Sequence, residues 1–251
     1  MKKLLIGTAA LAYASIASGA SAADLACLIT KNNSNPFFVK MKEGAEAAAT
    51  AAGLDFQAYA GEKDGDAAPQ ITAIENCVAA GAKGILITPS NDSVGPALKD
   101  ARAAGILVIA LDTPLADAEA QDITFATDNF EAGLLIGKWP AATLGADGVA
   151  NAKIAMLDIN KDNISVDVQR DTGFLVGFGI EVPDLTVMGS ENDARVIGHE
   201  SSDANPEGGL RAMETLLAKD PDINVVYTIN EPAAEGAFQA LKNAGKEGQA
   251  L

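Results

Sequence analysis

The groups best suited to chemistry in this chain stand just after its short apolar runs. Asn32, Asn33 and Asn35 follow "LACLIT", with Phe37 and Phe38 directly behind them. Ser90, Asn91 and Asp92 follow "GILIT", Asp112 and Thr113 follow "ILVIAL", and Asp128 and Asn129 follow "ITFAT". Farther along, Asp158 and Asn160 follow one run, and Asn230 and Glu231 follow another. Basic residues near these positions are few, Lys161 and Arg170 being the ones that stand out. Amides, carboxylates and a guanidinium can pair with hydroxyls that both donate and accept, which suits a neutral, hydroxyl-rich solute such as a sugar. A sugar ring also has an apolar C–H face that an aromatic ring can cover. Adjacent residues on a helix do not share a face, so a buried stripe accounts for only one of Phe37 and Phe38. A pocket built on particular hydroxyls discriminates strongly, because an analogue lacking one leaves buried polar groups unpaired.

Short polar residues after strands also cap helices and shape turns. For Ser90, Asn91, Asp92, Asn129 and Asn160 that role fits at least as well as ligand contact. It fits less well for Asp112, which follows a fully apolar run, and for Asn230, although Glu231-Pro232 reads as the first turn of a helix. Catalytic arrangements are poorly supported. His199 is the only histidine and reads as a strand-end residue rather than a base, and no Gly-x-Ser-x-Gly elbow is present. One histidine and two distant cysteines make no familiar zinc site. "GLLIGKW" lacks the spacing of a phosphate loop and falls within a helix pattern, and "GFLVGFG" is no dinucleotide fingerprint. The sequence therefore predicts binding without catalysis, and neither a cofactor nor a metal. An exported enzyme acting on a sugar is the second reading, and it lacks a nucleophile–base pair.

The balance of 18 Lys and Arg against 34 Asp and Glu gives a net charge of −16. Such a chain is repelled by phosphate backbones and anionic lipid, so nucleic acid and membrane surfaces are poor partners for it and no nucleic-acid partner is expected. Lys2-Lys3, an apolar stretch over 4–17 and Ala20-Ser21-Ala22 form the three-part pattern of a secretory signal, which places residues 1–22 outside the folded protein. The apolar stretch is short of the ~20 residues that a membrane-spanning helix needs. Cys27 and Cys77 both sit in apolar elements. Two buried thiols is the favoured reading, with a single bridge as the alternative in an oxidising compartment.

These tips must be held by a regular framework, and the chain shows one. Ala-rich amphipathic helices end in Ala-Gly and lead into β-branched runs, with Gly53, Gly81, Gly105 and Gly245 at the position where a helix closes in the left-handed conformation. The runs are continuously apolar, which predicts parallel strands covered on both faces. Strands are expected at 24–30, 54–60, 84–88, 106–111, 122–127, 152–158, 194–199 and 223–229. Helices are expected at 36–52, 67–80, 93–104, 129–144, 166–178, 205–218 and 232–244. The stretch 180–193 reads as irregular surface. The alternation gives an α/β fold, and the length suits two lobes, 23–127 and 128–251.

The motifs "NPFF" (35–38), "GILITPSNDS" (84–93), "VIALDTP" (108–114), "FATDN" (125–129), "QRDTGF" (169–174) and "TINEPAAEGA" (228–237) resemble those of periplasmic sugar-binding proteins of the ribose-binding type, most closely the fructose-binding branch. The resemblance runs from about Asp24 to the end. It implies two α/β lobes, each a parallel sheet flanked by helices, that close about a hinge over a monosaccharide, a fructose-like hexose or a pentose. It implies a periplasmic monomer with an ABC transporter permease, and a chemoreceptor, as partners. Carried over by residue, Asn35 and Asn230 bind hydroxyls, Phe37 and Phe38 form aromatic walls, Asp112 accepts from two hydroxyls, Arg170 donates from the other lobe, and Asp128 sits at a hinge crossing. Thr113 stands where the ribose type often has arginine, which turns the expectation away from ribose. Within the resemblance the chain stops short of a final return into the first lobe, so a C-terminal truncation is expected. A sugar-responsive transcription regulator shares this fold, but it would begin with a basic helix-turn-helix.

Overall fold

The computed structural model describes residues 23–251, so the expected signal segment lies outside the described residues. Eight strands alternate with seven helices over this span. The first series is β1 (Leu25–Thr30), α1 (Pro36–Ala52), β2 (Asp55–Ala60), α2 (Ala68–Ala79), β3 (Gly84–Ile87), α3 (Gly95–Ala103), β4 (Leu107–Leu111) and β5 (Ile123–Phe125). The second is α4 (Asn129–Ala150), β6 (Ile154–Asp158), α5 (Ser165–Phe178), β7 (Val196–Ser201), α6 (Pro206–Lys219), β8 (Val225–Thr228) and α7 (Glu231–Asn243). The strands form two sheets ordered β2-β1-β3-β4-β5 and β7-β6-β8. All pairings are parallel, so the carboxyl ends of each sheet's strands lie along one edge. That edge is where parallel sheets bind ligands.

Local chemistry fixes the helix ends. Asn35, Asn205 and Asn230 each accept a backbone N–H with the side-chain oxygen, and proline begins α1 and α6 and is second in α7. Gly53, Gly81, Gly105 and Gly245 all take positive φ, between 69° and 83°. α4 departs from expectation by continuing past residue 144, across a non-helical Gly145 with φ 65° and ψ −179°.

The first sheet's core gathers Cys27 and Ile29 of β1, Ile85 and Ile87 of β3 and Val108 of β4 against Ile74 and Cys77 of α2 and Leu98 and Ala101 of α3. The expectation of free thiols is corrected here. Cys27 and Cys77 are both fully buried, and they form a disulfide across a Cα–Cα distance of 6.4 Å. The strand and the helix packed on it bring the two residues together although 50 positions separate them. Coverage of both faces also holds only in part. β3 and β4 alternate in burial, and Leu107, Ile123 and Phe125 are exposed. The second sheet differs in that every residue of β6 is buried. Ile154 and Met156 pack with Phe174 and Phe178 on one face, while Ala155 and Leu157 pack with Met213 and Leu216 on the other.

The glycines of "GLLIGKW" and "GFLVGFG" find their purpose in this second unit. A Cβ on Gly133 would overlap the Arg170 carbonyl, and one on Gly137 the Phe174 carbonyl. From the other side, Gly173 faces the Phe130 carbonyl and Gly177 the Leu134 carbonyl. α4 and α5 therefore touch backbone to backbone.

Candidate ligand-binding site

Between the carboxyl edges of the two sheets lies a cavity of about 180 Å³. This is below the roughly 300–1,000 Å³ of pockets for drug-sized ligands, so it suits one small molecule. The first sheet contributes Lys31, Asn35, Phe37, Phe38, Asp64 and Asp112 to its walls. The second contributes Ile159, Val166, Arg170, Ile229, Asn230 and Glu231. A larger cleft of about 650 Å³ runs between residues 89–93, 113–116 and 162–165. Its walls carry the carboxylates Asp92 and Asp162 but no basic or aromatic side chain. The smaller cavity has the denser chemistry.

Asp112 is its electrostatic centre. Its φ of 64° is unusual for a non-glycine residue, and its backbone N–H is held by the Phe125 carbonyl at 2.8 Å. Its carboxylate receives the Thr113 hydroxyl at 2.9 Å, faces Lys31 Nζ at 3.5 Å, and faces Arg170 Nη2 of the second unit at 4.0 Å. Arg170 is in turn aimed by its Nε donating to Asn129 Oδ1 at 2.7 Å and its Nη1 to the Ile229 carbonyl at 3.3 Å. Asp64 accepts from Asn32 Nδ2 at 2.8 Å. Burial pushes its carboxyl pKa up, an effect that Lys31 and the Asn32 hydrogen bond oppose only in part.

The two phenylalanines are not equivalent. Their rings meet edge to face at 5.3 Å, with Phe37 51% exposed and Phe38 4%. Phe38 is packed and Phe37 offers a free ring. Asn35 and Asn230 serve as helix caps with their oxygens. The Asn230 amide is bound to the Ala204 carbonyl at 3.3 Å.

Thus Asn35, Phe37, Phe38, Asp112, Arg170 and Asn230 converge on the cavity, whereas Thr113 and Asp128 lie outside its walls. Thr113 braces Asp112 from behind, and Asp128 caps α4 by accepting from the Glu131 N–H at 3.0 Å. Asn91 and Asn160 act as turn residues, accepting from Ser93 and Asp162. Lys31 and Asp64 are site residues that the sequence reading missed. Lys31 stands directly after β1 and Asp64 after β2, so an inventory of every strand tip, lysines included, would have found both. His199 lies away from the cavity with Nδ1 3.0 Å from Asp158 and Nε2 2.8 Å from Glu191. Burial would lower its pKa, but the two carboxylates carry it up to about 11. Its nitrogens are thus engaged, which is no arrangement for a general base.

The family model described as periplasmic binding protein domain matches residues 26–251. The ribose import binding protein of Escherichia coli is 30% identical over 248 residues, which span 98% of this chain and 77% of that protein. The D-allose-binding periplasmic protein of the same organism is 27% identical over 244 residues, 94% of this chain and 74% of that one. A crystal structure of an ABC transporter periplasmic solute binding protein from Actinobacillus succinogenes with bound D-allose aligns with a TM-score of 0.74 at 26% identity, covering 91% of this chain and 77% of that one.

Proposed function

The chain belongs to the periplasmic binding protein family, and from that premise we propose that it captures a monosaccharide between its two sheets and delivers it unchanged to the permease of an ABC importer. The observation that carries this reading is the cavity itself. Carboxylate, guanidinium, amide and aromatic groups from both units converge in a space sized for one small solute. Asp112 accepts hydrogen bonds from two sugar hydroxyls while Lys31 and Arg170 hold its charge in place. Arg170 donates to a third hydroxyl, and Phe37 lies against the ring's C–H face with Phe38 as its support. The Asn35 amide supplies a further donor. Asn230 contributes by shaping the wall, and Thr113 by bracing Asp112. Asp128 belongs to the crossing between the units. Ligand contact on both walls favours the closed arrangement over an open one, a population shift driven by the sugar. Thr113 beside Asp112 favours a sugar other than ribose, with a fructose-like hexose as the first choice.

Titration of the purified chain with fructose, ribose, allose, xylose, galactose and glucose by calorimetry tests the reading. One sugar should bind at micromolar concentration or tighter, and Asp112→Ala and Arg170→Ala should each weaken it by about a hundredfold, as expected for losing one partner of a buried charged contact. Millimolar binding by all six, or affinity indifferent to both substitutions, overturns it.

A further inference from the structure

A second group of chemistry-bearing side chains lies at the end of β6, and the sugar cavity does not use it. Asp158 closes β6, Asp171 lies on α5, His199 on β7, and Glu191 on the segment leading into β7. His199 Nδ1 is 3.0 Å from Asp158 Oδ2 and 3.5 Å from Asp171 Oδ2, and all three donor atoms lie within 4.8 Å of one another. On the far side of the ring, Nε2 pairs with Glu191 Oε1 at 2.8 Å.

The hydrogen-bond accounting here is unbalanced. Asp171 is 0% exposed, yet neither of its carboxylate oxygens has a hydrogen-bond partner. Asp158 Oδ1 and Glu191 Oε2 are also buried and unpartnered. Asp167, equally buried, uses one oxygen on the Ile159 N–H and leaves the other free. Three carboxyl groups, those of Asp158, Asp171 and Glu191, therefore surround one imidazole. Buried carboxylate oxygens without partners are costly, and the imidazole held between Asp158 and Asp171 leaves both oxygens of Asp171 without a hydrogen bond.

The spacing suits a metal ion. Zinc–nitrogen and zinc–oxygen bonds of about 2.0–2.2 Å place neighbouring donors of a tetrahedral site roughly 3.4 Å apart. Glu191 on Nε2 completes the carboxylate–histidine–metal relay that orients such ligands. The Asp158 and His199 side of the cluster opens on a small cavity lined by Asn160, Lys161, Asn163, Met188 and Gly189, which gives an ion a way in past the lysine and room for a water ligand. Imidazole with two carboxylates favours a first-row divalent ion over calcium or magnesium, which take oxygen ligands. We propose that Asp158, Asp171 and His199 form a binding site for a divalent first-row cation, with Zn²⁺ the best fit. Binding releases to solvent the proton that Nδ1 otherwise holds. It ties β6, α5 and β7 together on the helix that carries Arg170.

The test uses the whole chain, free of any histidine tag and stripped with a chelator, titrated with Zn²⁺ by calorimetry and with Co²⁺ by visible absorption. One equivalent should bind at micromolar concentration or tighter, Co²⁺ should show the intense bands of a four-coordinate site, and Zn²⁺ should raise the melting midpoint. Asp171→Asn and His199→Gln should each weaken Zn²⁺ by more than about a hundredfold, and Glu191→Gln by about 10–100-fold. Failure of the unsubstituted chain to saturate at one equivalent, or a pale six-coordinate cobalt spectrum, overturns the proposal even if the variants do not fold. Equal Zn²⁺ affinity in folded Asp171→Asn and His199→Gln overturns it as well.

Discussion

The two sheets reach the same parallel geometry by different means. The first unites five strands with an apolar core and ties β1 to α2 through Cys27–Cys77. The second has three strands, no disulfide, and a central strand buried throughout. Its neighbouring helices meet through glycine, Gly133 and Gly137 against Gly173 and Gly177 in one pair, and Gly209 and Gly236 in the α6–α7 pair. It also buries Asp158, Asp167 and Asp171. One unit is fastened by a covalent link across ordinary packing, the other by close backbone approach around a charged interior. The cleft inherits this division. Its aromatic rings and central carboxylate come from the first unit, and its guanidinium comes from the glycine seam of the second.

Removing the covalent link should have the largest effect on stability. The double substitution Cys27→Ala/Cys77→Ala opens a loop with a sequence separation of 50 and should cost about 4 kcal/mol on the chain-entropy scale. Denaturant titration should show the loss, with β1–α2 amides losing hydrogen-exchange protection before those of β6. Gly133→Ala addresses the other unit. The added methyl strikes the Arg170 carbonyl, so overpacking should cost about 1–3 kcal/mol. Sugar affinity should fall as well, because Arg170 is displaced. Unchanged stability and affinity would mean that the seam gives way easily.

Smaller substitutions sharpen the contrast inside the cleft. Phe37→Ala should leave the melting midpoint within a degree or two while weakening sugar binding by about tenfold, roughly 1.4 kcal/mol. Phe38→Ala should lower both, since that ring is packed. Asp64→Asn is the mildest. The folded-state pKa of Asp64 is raised by burial, so the folded chain binds this proton more readily than the unfolded one. The wild type therefore loses stability as pH rises from the ordinary carboxylate range through that raised value. The asparagine variant should lack this component, which paired denaturation curves at acid and neutral pH will reveal.

What was legible in the sequence was what neighbouring residues decide. Asn35-Pro36 announces the start of α1, Ala-Gly marks the helix ends, and the apolar runs give the strands to within a few residues. The convergence of Asn35, Asp112, Arg170 and Asn230 followed from the rule about strand tips together with family resemblance. Contacts between distant segments were not legible. The Cys27–Cys77 link depends on which helix lies under which strand. The four glycines of α4 and α5 matched no nucleotide motif because their partners are carbonyls on another helix. Asp171 and His199 are 28 positions apart and meet only when β7 pairs with β6.

The disulfide also sets what happens when the chain is cut. The loop after β2 carries the exposed residues Glu62 and Lys63, and it lies inside the covalent ring closed by Cys27 and Cys77. A protease that nicks the chain there produces two polypeptides that cannot part. They would run as one species until a reductant is added, and the apolar core would still hold β1 in register. Damage at this point would therefore loosen the Asp64 edge of the sugar cavity without shedding the segment after β1 that carries Lys31 and Asn35.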